Sequence, residues 1–291
     1  MQVCVAQHNC AAFFGHFLGS QKFFQKNFDS GTSKTRFVPT YIYRGTNFPV
    51  GASAFLNAMK VGPRMGNRLL KTLSAVEYGR LSPRLRMVQL PTAEVLYNAG
   101  DRADFVYFPI SGVVSLLSTT ESGEVIEVAM VGSEGTTCLP VITHQQEMPY
   151  RLLVQIAGHA LRIEADTVRK EFVRGGRLHD LLICHTHSLF SEITQSAVCN
   201  RFHLAEARFC RWLLSMQDRV GSELPLTHEI ISYMLGADRS NVSRIAKTLQ
   251  DGGSIRYKYG SITILDRTRL EAASCECYRV VKQSVAQCLA A

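Results

Sequence analysis

The sequence predicts an α+β chain: an N-terminal β-roll of jelly-roll type, one long helix, and a C-terminal pair of short helices followed by a β-hairpin. Three observations carry this. Short strand candidates separated by close turns run from Arg86 to Ile163. No Pro or Gly interrupts Arg177 to Arg219. Leu226 to Leu249 reads as two amphipathic helices around a Gly turn. The chain has 291 residues, enough for one large or two ordinary domains, and 46% hydrophobic content describes a globular protein with a sizeable core. No run approaches the roughly 18 apolar residues of a membrane span.

Residues 1–58 differ from the rest. They hold nine of the fifteen Phe, with Asp29 as the one acidic residue, and Gly, Ser, Thr and Asn break every apolar run before a period develops. Cys10 to Gly19 is briefly apolar but lacks the basic leader and small-residue cleavage site of a secretory signal. We expect residues 1–64 to be an unstructured extension, with native translation starting at Met59 or Met65.

Order begins near Gly66. Asn67 to Tyr78 has helical spacing, with Leu69, Leu70, Leu73 and Val76 inward, and Pro83 ends the following turn. Strands are then expected at Arg86–Leu90, Glu94–Tyr97, Phe105–Pro109, Val113–Thr119, Val125–Val131, Leu152–Ile156 and His159–Ile163. Gly100-Asp101 fits a link between them, as do Ser111-Gly112 and Ser122-Gly123. A roll of this kind can enclose a small ligand.

In the long helix Leu178, Leu182, His185, Leu189, Ile193, Ser196 and Asn200 recur at alternating steps of three and four, as on a coiled-coil seam. A second face, with Leu181, Phe190, Ala197 and Phe202, is available for packing on the chain's own roll. Ala205 to Met216, with Phe209, Trp212 and Leu213, opens the C-terminal domain, and Gly221 and Pro225 delimit the last link.

Thr227 is placed to cap the first short helix, Ile230, Ile231, Met234 and Leu235 form its apolar face, and Gly236 suits a left-handed stop. Small Ser232 lets a second helix cross closely. Asp238 is the expected cap of that helix, whose Val242, Ile245, Ala246 and Leu249 pack inward. Arg239, Ser240, Ser243, Arg244 and Lys247 gather on the opposite side, the long cations and small hydroxyls that a helix in a DNA major groove requires. The net charge of +8 favours a polyanionic partner, DNA or an acidic membrane surface. Its location favours DNA: Arg239 to Arg269 holds seven Lys or Arg against Asp251 and Asp266.

This helix-turn-helix resembles that of the Crp/Fnr family of bacterial transcription regulators, over roughly Gly66 to Tyr278. Ile255–Lys258, a turn at Tyr259-Gly260-Ser261, and Ile262–Leu265 match the family's wing, so Arg256 and Lys258 would lie along the DNA backbone. Val95-Leu96-Tyr97, Ala99-Gly100-Asp101, Val106-Tyr107-Phe108 and Gly112-Val113-Val114 are similar to the opening strands of its cyclic-nucleotide-binding type of sensor. The resemblance implies a sensor over 65–174, a dimerisation helix and connector over 175–220, and a winged helix-turn-helix over 221–291. It further implies a cytoplasmic homodimer on double-stranded, near-palindromic DNA, with RNA polymerase as a possible partner, no membrane and no enzymatic site. Ser240 replaces a Glu frequent in the family's reading helix, so the family's half-site does not carry over.

The sensor departs from the family. Members that bind a cyclic nucleotide carry a Gly-Glu loop and then an Arg followed by Ser or Thr. Here Gly132-Ser133-Glu134-Gly135 is present, but Thr143 to Met148 lacks the Arg, and Arg151, the nearest cation, precedes Leu152. Gly132, Glu134 and Arg151 remain the effector-pocket candidates, for a ligand other than cyclic AMP, with Gly132 to Gly135 read as a plain turn. Cys184, His185 and His187 share one helix and leave a haem reading open; a redox cluster would have only Cys4, Cys10 and Cys138. Nine cysteines without regular spacing suit a reducing compartment, and Cys275-Glu276-Cys277, with no second pair nearby in sequence, reads as idle thiols rather than a metal site. No cofactor is assigned. The alternative to DNA binding is a winged domain used as a protein-interaction surface.

Overall fold

The structure, a computed structural model, describes residues 66–143 and 145–290. The extension expected over residues 1–64, with Cys4, Cys10 and the proposed starts, lies outside the described residues.

Two short helices open the described chain, α1 (Arg68–Lys71) and α2 (Ala75–Leu81), where the sequence predicts one. Ser74 interrupts it by starting a capping box: its Oγ accepts from Glu77 N and Glu77 Oε2 accepts from Ser74 N. The restart shifts the helical phase, so Tyr78 and Leu81 turn inward while Val76, expected inward, is 71% exposed. Asn67 caps α1 and donates both to Pro109 O and to Gly135 O, tying this entry to the sheet.

The main sheet is antiparallel with strand order β1-β5-β3-β4: β1 (Arg86–Leu90), β3 (Phe105–Thr119), β4 (Val125–Val131) and β5 (Arg151–Glu164). The short β2 (Val95–Tyr97) pairs with the start of β5. The strands expected on either side of Ser111-Gly112 are one strand, as are those on either side of Ala157-Gly158. Both glycines act as bends rather than stops. A Cβ on Gly158 would lie 2.2 Å from Ser111 O, and one on Gly112, at φ +79°, 2.5 Å from Ile156 O. Side-chain-free backbone lets β3 and β5 stay in register across a bulged, sharply twisted crossing. Tyr97, Tyr107, Leu116, Val131, Met148, Leu152 and Leu189 fill the roll's interior.

Two elements the sequence reading lacks follow the sheet's logic. α3 (Leu139–Ile142), with Pro140 in its first turn, buries Val141 and Ile142 in the cluster that holds Val106 and Phe108 of β3. α4 (Ala165–Arg174) buries Val168 and Phe172 one turn apart. Gly175 and Gly176, at φ +80° and +90°, then reverse the chain into α5 (Arg177–Phe202). Glu77 Oε1 accepts from Leu178 N in the first turn of α5, so one carboxylate serves two helix starts. The predicted uninterrupted helix breaks at His203 and resumes as α6 (Ala205–Val220).

The C-terminal half holds β6 (Glu223–Leu224), α7 (His228–Leu235), α8 (Arg239–Asp251), β7 (Ile255–Lys258), β8 (Ser261–Ile264), α9 (Arg267–Ala273) and α10 (Cys277–Ala290). Its three-stranded sheet runs β6-β8-β7, adding a strand to the expected hairpin. Trp212, Leu213, Ile231, Met234, Val242 and Ile262 share one core with Val113, Leu117 and Met130 of the roll, so the two halves are packed as one body through this face. After Asp266 the chain forms two helices, α9 and α10, and α10 lies against α5 and α6. Cys288 Sγ reaches Leu181 O of α5.

Candidate nucleic-acid interface

Local sequence builds the interface as expected, with two differences in detail. Thr227 Oγ1 accepts from Ile230 N, and Gly236 takes the left-handed conformation at φ +55°. Asp238 occupies the N-cap position of α8 with extended backbone, but its side chain makes no capping bond. Ser232 is buried, its hydroxyl donating to Glu229 O. Val242, Ile245, Ala246 and Leu249 are buried beneath α8. In the hairpin both Tyr259 and Gly260 have positive φ and Lys258 pairs with Ser261, so the turn has two residues, not three.

Arg239, Ser240, Arg244, Lys247, Arg256 and Lys258 are exposed. Arg244 is steadied by Asn241, whose Oδ1 accepts from its guanidinium at 2.7 Å. Ser243 is half-buried, with its Oγ 3.1 Å from Nδ1 of His228. That imidazole stacks on Tyr257 of the wing at 3.9 Å between centroids, and burial together with the nearby Arg239 lowers its pKa. The ring therefore braces the reading helix against the wing as a neutral aromatic. Neither partner stands out in the sequence, because stacking between residues so far apart leaves no periodic trace.

Two family models match this chain: the cyclic nucleotide-binding domain over residues 87–174 and the Crp-like helix-turn-helix domain over residues 207–273. The chain belongs to the Crp/Fnr family of transcription regulators. It is 22% identical over 214 residues to the global nitrogen regulator of Synechococcus elongatus, an alignment spanning 70% of this chain and 96% of that one. Among solved structures it is similar to a Crp/Fnr-family protein from Eubacterium rectale (TM-score 0.57, 19% identity, 70% of this chain and 96% of that chain). It is also similar to the c-di-GMP-responsive global regulator CLP of Xanthomonas campestris (TM-score 0.56, 16% identity, 66% of this chain and 100% of that chain). A Crp-like helix-turn-helix is a DNA-binding element, and the family consists of regulators, not enzymes.

The effector candidates of this regulator fall in different places. Glu134 is buried, accepts from Gly132 N at 3.0 Å and is paired with Arg219 of α6, Nε to Oε1, at 2.7 Å. Arg219 also faces buried Glu192 of α5 at 3.5 Å. Burial alone would push the Glu134 carboxyl up, yet Arg219 and the backbone N–H groups hold it below its ordinary range. Burial wins at Glu192, which is raised despite Arg219 and Arg211. The Gly132–Gly135 segment is the turn expected, closed by Gly135 N donating to Gly132 O at 3.1 Å, and its Glu134 also makes it an ion-paired joint between the roll and α6. Its carboxylate lines a cleft of about 230 Å³ with Arg68, Asp218, Tyr278 and Lys282. Arg151 is not part of that cleft; it opens β5 opposite Leu117. The sequence gives little hint of Arg219, since a lone Arg near a helix end most often reaches solvent.

His185 is spent in the same region. Its Nε2 lies 2.8 Å from Thr136 O, and burial, the leading cause, lowers its pKa. Buried and engaged with the backbone, it does not present a free ligand to haem; His187 is exposed and Cys184 half-buried on the same helix.

Glu127 makes a second joint. Fully buried on β4, it accepts from Trp212 Nε1 of α6 at 2.7 Å and from Ser115 Oγ at 2.5 Å. Burial raises its pKa from 4.5 to about 7, against those two hydrogen bonds. The folded state therefore holds a proton that the unfolded chain has released between those values, so this group's contribution to stability falls as pH rises from 4.5 to about 7. Glu127→Gln keeps an acceptor for Trp212 without the charge. Chemical denaturation across pH should show it equal to the parent near pH 4.5 and more stable at pH 8, by up to about 3 kcal/mol at about 1.4 kcal/mol per pKa unit. An unchanged difference at the two pH values would mean that Glu127 is ionised in the fold.

The face of α5 expected as a seam is largely buried within the protomer, and Leu181 of the second face is buried with it. Leu178, Leu182, His185 and Leu189 are buried within the chain itself, and Ile193 is half-buried against the roll. Ile183, Phe190, Val198 and Phe202 are exposed, as is Leu204 just beyond the helix. Within the protomer the helix docks on its own roll through the three-four face.

Proposed function

We propose that this regulator binds near-palindromic duplex DNA as a homodimer, each protomer laying α8 in a major groove and its wing along the backbone. One observation carries the reading: a cationic, exposed outer face on α8 is held rigid by a fully buried inner face. Arg244 is the leading base contact, Arg239, Ser240 and Ser243 reach bases or phosphates, and Lys247, Arg256 and Lys258 supply backbone affinity. Two such helices related by a two-fold axis would read half-sites about 34–36 Å apart.

The second copy would pair through the face of α5 that carries Ile183, Phe190, Ala197 and Val198, with Phe202 and Leu204 continuing it. Residues 183, 190 and 197 repeat every seven positions, the spacing of a coiled helix pair. The domains we assign are a sensor over 65–174, a coupling helix from 175, and a reader that takes in α6 through its packing on the reader core. Packing of Tyr97, Tyr107, Met148 and Tyr150 inside the roll supports an effector, if the sensor takes one, of chemistry other than cyclic AMP. Any such effector would shift the joints at Glu127–Trp212 and Glu134–Arg219 and thereby the pose of the reader. Cytoplasmic location fits this task, and among the described residues no helix is long and apolar enough to cross a membrane.

Competition binding with sites selected from genomic DNA tests the assignment. Arg244→Ala should lose about 1–3 kcal/mol of discrimination at one base position of each half-site. Lys247→Ala, Arg256→Ala and Lys258→Ala should instead weaken all sequences alike and reduce the salt slope by about 0.9 per lost phosphate contact. Full sequence preference in the Arg244 variant would sink its role as the base contact.

A further inference from the structure

Outside the DNA interface, four metal-ligating side chains meet where the long helix ends. Cys199 and His203 lie one turn apart at the C-terminus of α5, joined by the His203 N to Cys199 O hydrogen bond. Cys275 and Cys277 come from the elbow between α9 and α10, which brings a C-x-C from the far end of the chain against that turn. One donor atom from each of the four lies within 4.8 Å of every other. Cys199 Sγ and Cys275 Sγ are 3.5 Å apart, and Cys277 Sγ and His203 Nδ1 are also 3.5 Å apart.

We propose that Cys199, His203, Cys275 and Cys277 form a four-coordinate Cys3His site for a zinc ion, clamping the end of α5 to the α9–α10 elbow. Bond lengths of about 2.3 Å to sulfur and about 2.0–2.1 Å to nitrogen place neighbouring donors of a tetrahedral zinc about 3.5–3.8 Å apart, matching both separations. Sulfurs at 3.5 Å are far from the 2.03–2.05 Å of a disulfide, and the cysteines are free. Donors this close also leave no room for a polynuclear iron–sulfur core, whose sulfides hold the protein thiolates apart.

The surroundings fit the same assignment. With Nδ1 toward the thiols, His203 turns Nε2 to the Glu276 carboxylate at 3.3 Å, the outer partner that fixes tautomer and ring plane in zinc sites. Three thiolates and one Zn²⁺ leave a net charge of −1, and Arg208 and Arg211 of α6 lie within Coulombic reach of the sulfurs. The three cysteines are buried together with little else. Four protein ligands leave no open position, so the site is structural: it fixes the hinge at His203, where α5 hands over to α6.

The full-length chain, purified under reductant, should carry about one zinc per protomer by elemental analysis. After chelator treatment, Co²⁺ should give the visible bands of tetrahedral thiolate coordination, and Zn²⁺ should displace it. Cys275→Ser and Cys277→Ser should abolish those bands, whereas Cys288→Ser, at a thiol elsewhere on α10, should keep them. Because a buried ligand variant could misfold, Glu276→Gln supplies an independent reading: its side chain is 62% exposed, and its zinc affinity should fall about 10–100-fold with unchanged circular dichroism. The proposal is overturned by a folded parent chain that takes up no Zn²⁺ or Co²⁺, by iron and sulfide in place of zinc, or by metal uptake indifferent to Cys275 and Cys277. A Cys199–Cys275 disulfide found by peptide mapping of the reduced-purified protein would overturn it equally. None of these readouts involves DNA, so they stand or fall apart from the DNA-binding assignment.

Discussion

Arg219→Met should destabilise the folded chain by about 3–5 kcal/mol, because it strands the buried Glu134 carboxylate and leaves Glu192 without its cation. The loss should depend on pH in a specific direction. In the parent, Glu134 is held below its ordinary 4.5, so its pairing stabilises the fold above that value and the contribution is lost as pH falls through the depressed pKa. Without Arg219, burial is opposed only by the backbone N–H groups and the carboxyl rises; the penalty then grows as pH climbs above 4.5 and shrinks in acid. Urea denaturation at pH 5 and pH 8 checks both points. The combined change Arg219→Met, Glu134→Gln, Glu192→Gln removes the unpaired charges and should recover much of the loss. A single variant as stable as the parent at pH 8 would show that water reaches this joint.

Phe190→Asp should convert the proposed dimer to monomer and cost roughly a thousandfold in affinity for a two-half-site duplex. The side chain is 69% exposed in the protomer, so folding should change by no more than about 0.5 kcal/mol. At a two-fold seam the same change occurs twice, and an anchor worth about 2 kcal/mol per copy gives about 4 kcal/mol, or three decades. Leu189→Ala is the contrast. That residue is buried against the roll, so truncation should cost about 2–5 kcal/mol of folding while leaving the helix pair's outer face intact. Sedimentation and fluorescence anisotropy separate the two outcomes; a dimeric Phe190→Asp protein would place the seam elsewhere.

The sequence by itself determined whatever is encoded within a few residues. The Thr227 cap, the left-handed Gly236, the two faces of α8 and the limits of β1 and β4 all follow from local propensity, and the structure has them as read. Local signals misled where neighbours supply the deciding contact. Ser111-Gly112 has the composition of a turn, yet the backbone of β5 passing within a Cβ's reach makes it a bend. Helical spacing identified both apolar faces of α5 but not their partners, since periodicity records that a face is buried and not by what. Cys275 and Cys277 read as idle because the residues beside them lie 76 and 74 positions earlier. The same holds for Glu134 with Arg219 and for Glu127 with Trp212, each pair 85 positions apart. Charge and thiol chemistry depend on distances of a few ångströms, and only the packing of α6 and α10 against the roll and α5 brought those groups together.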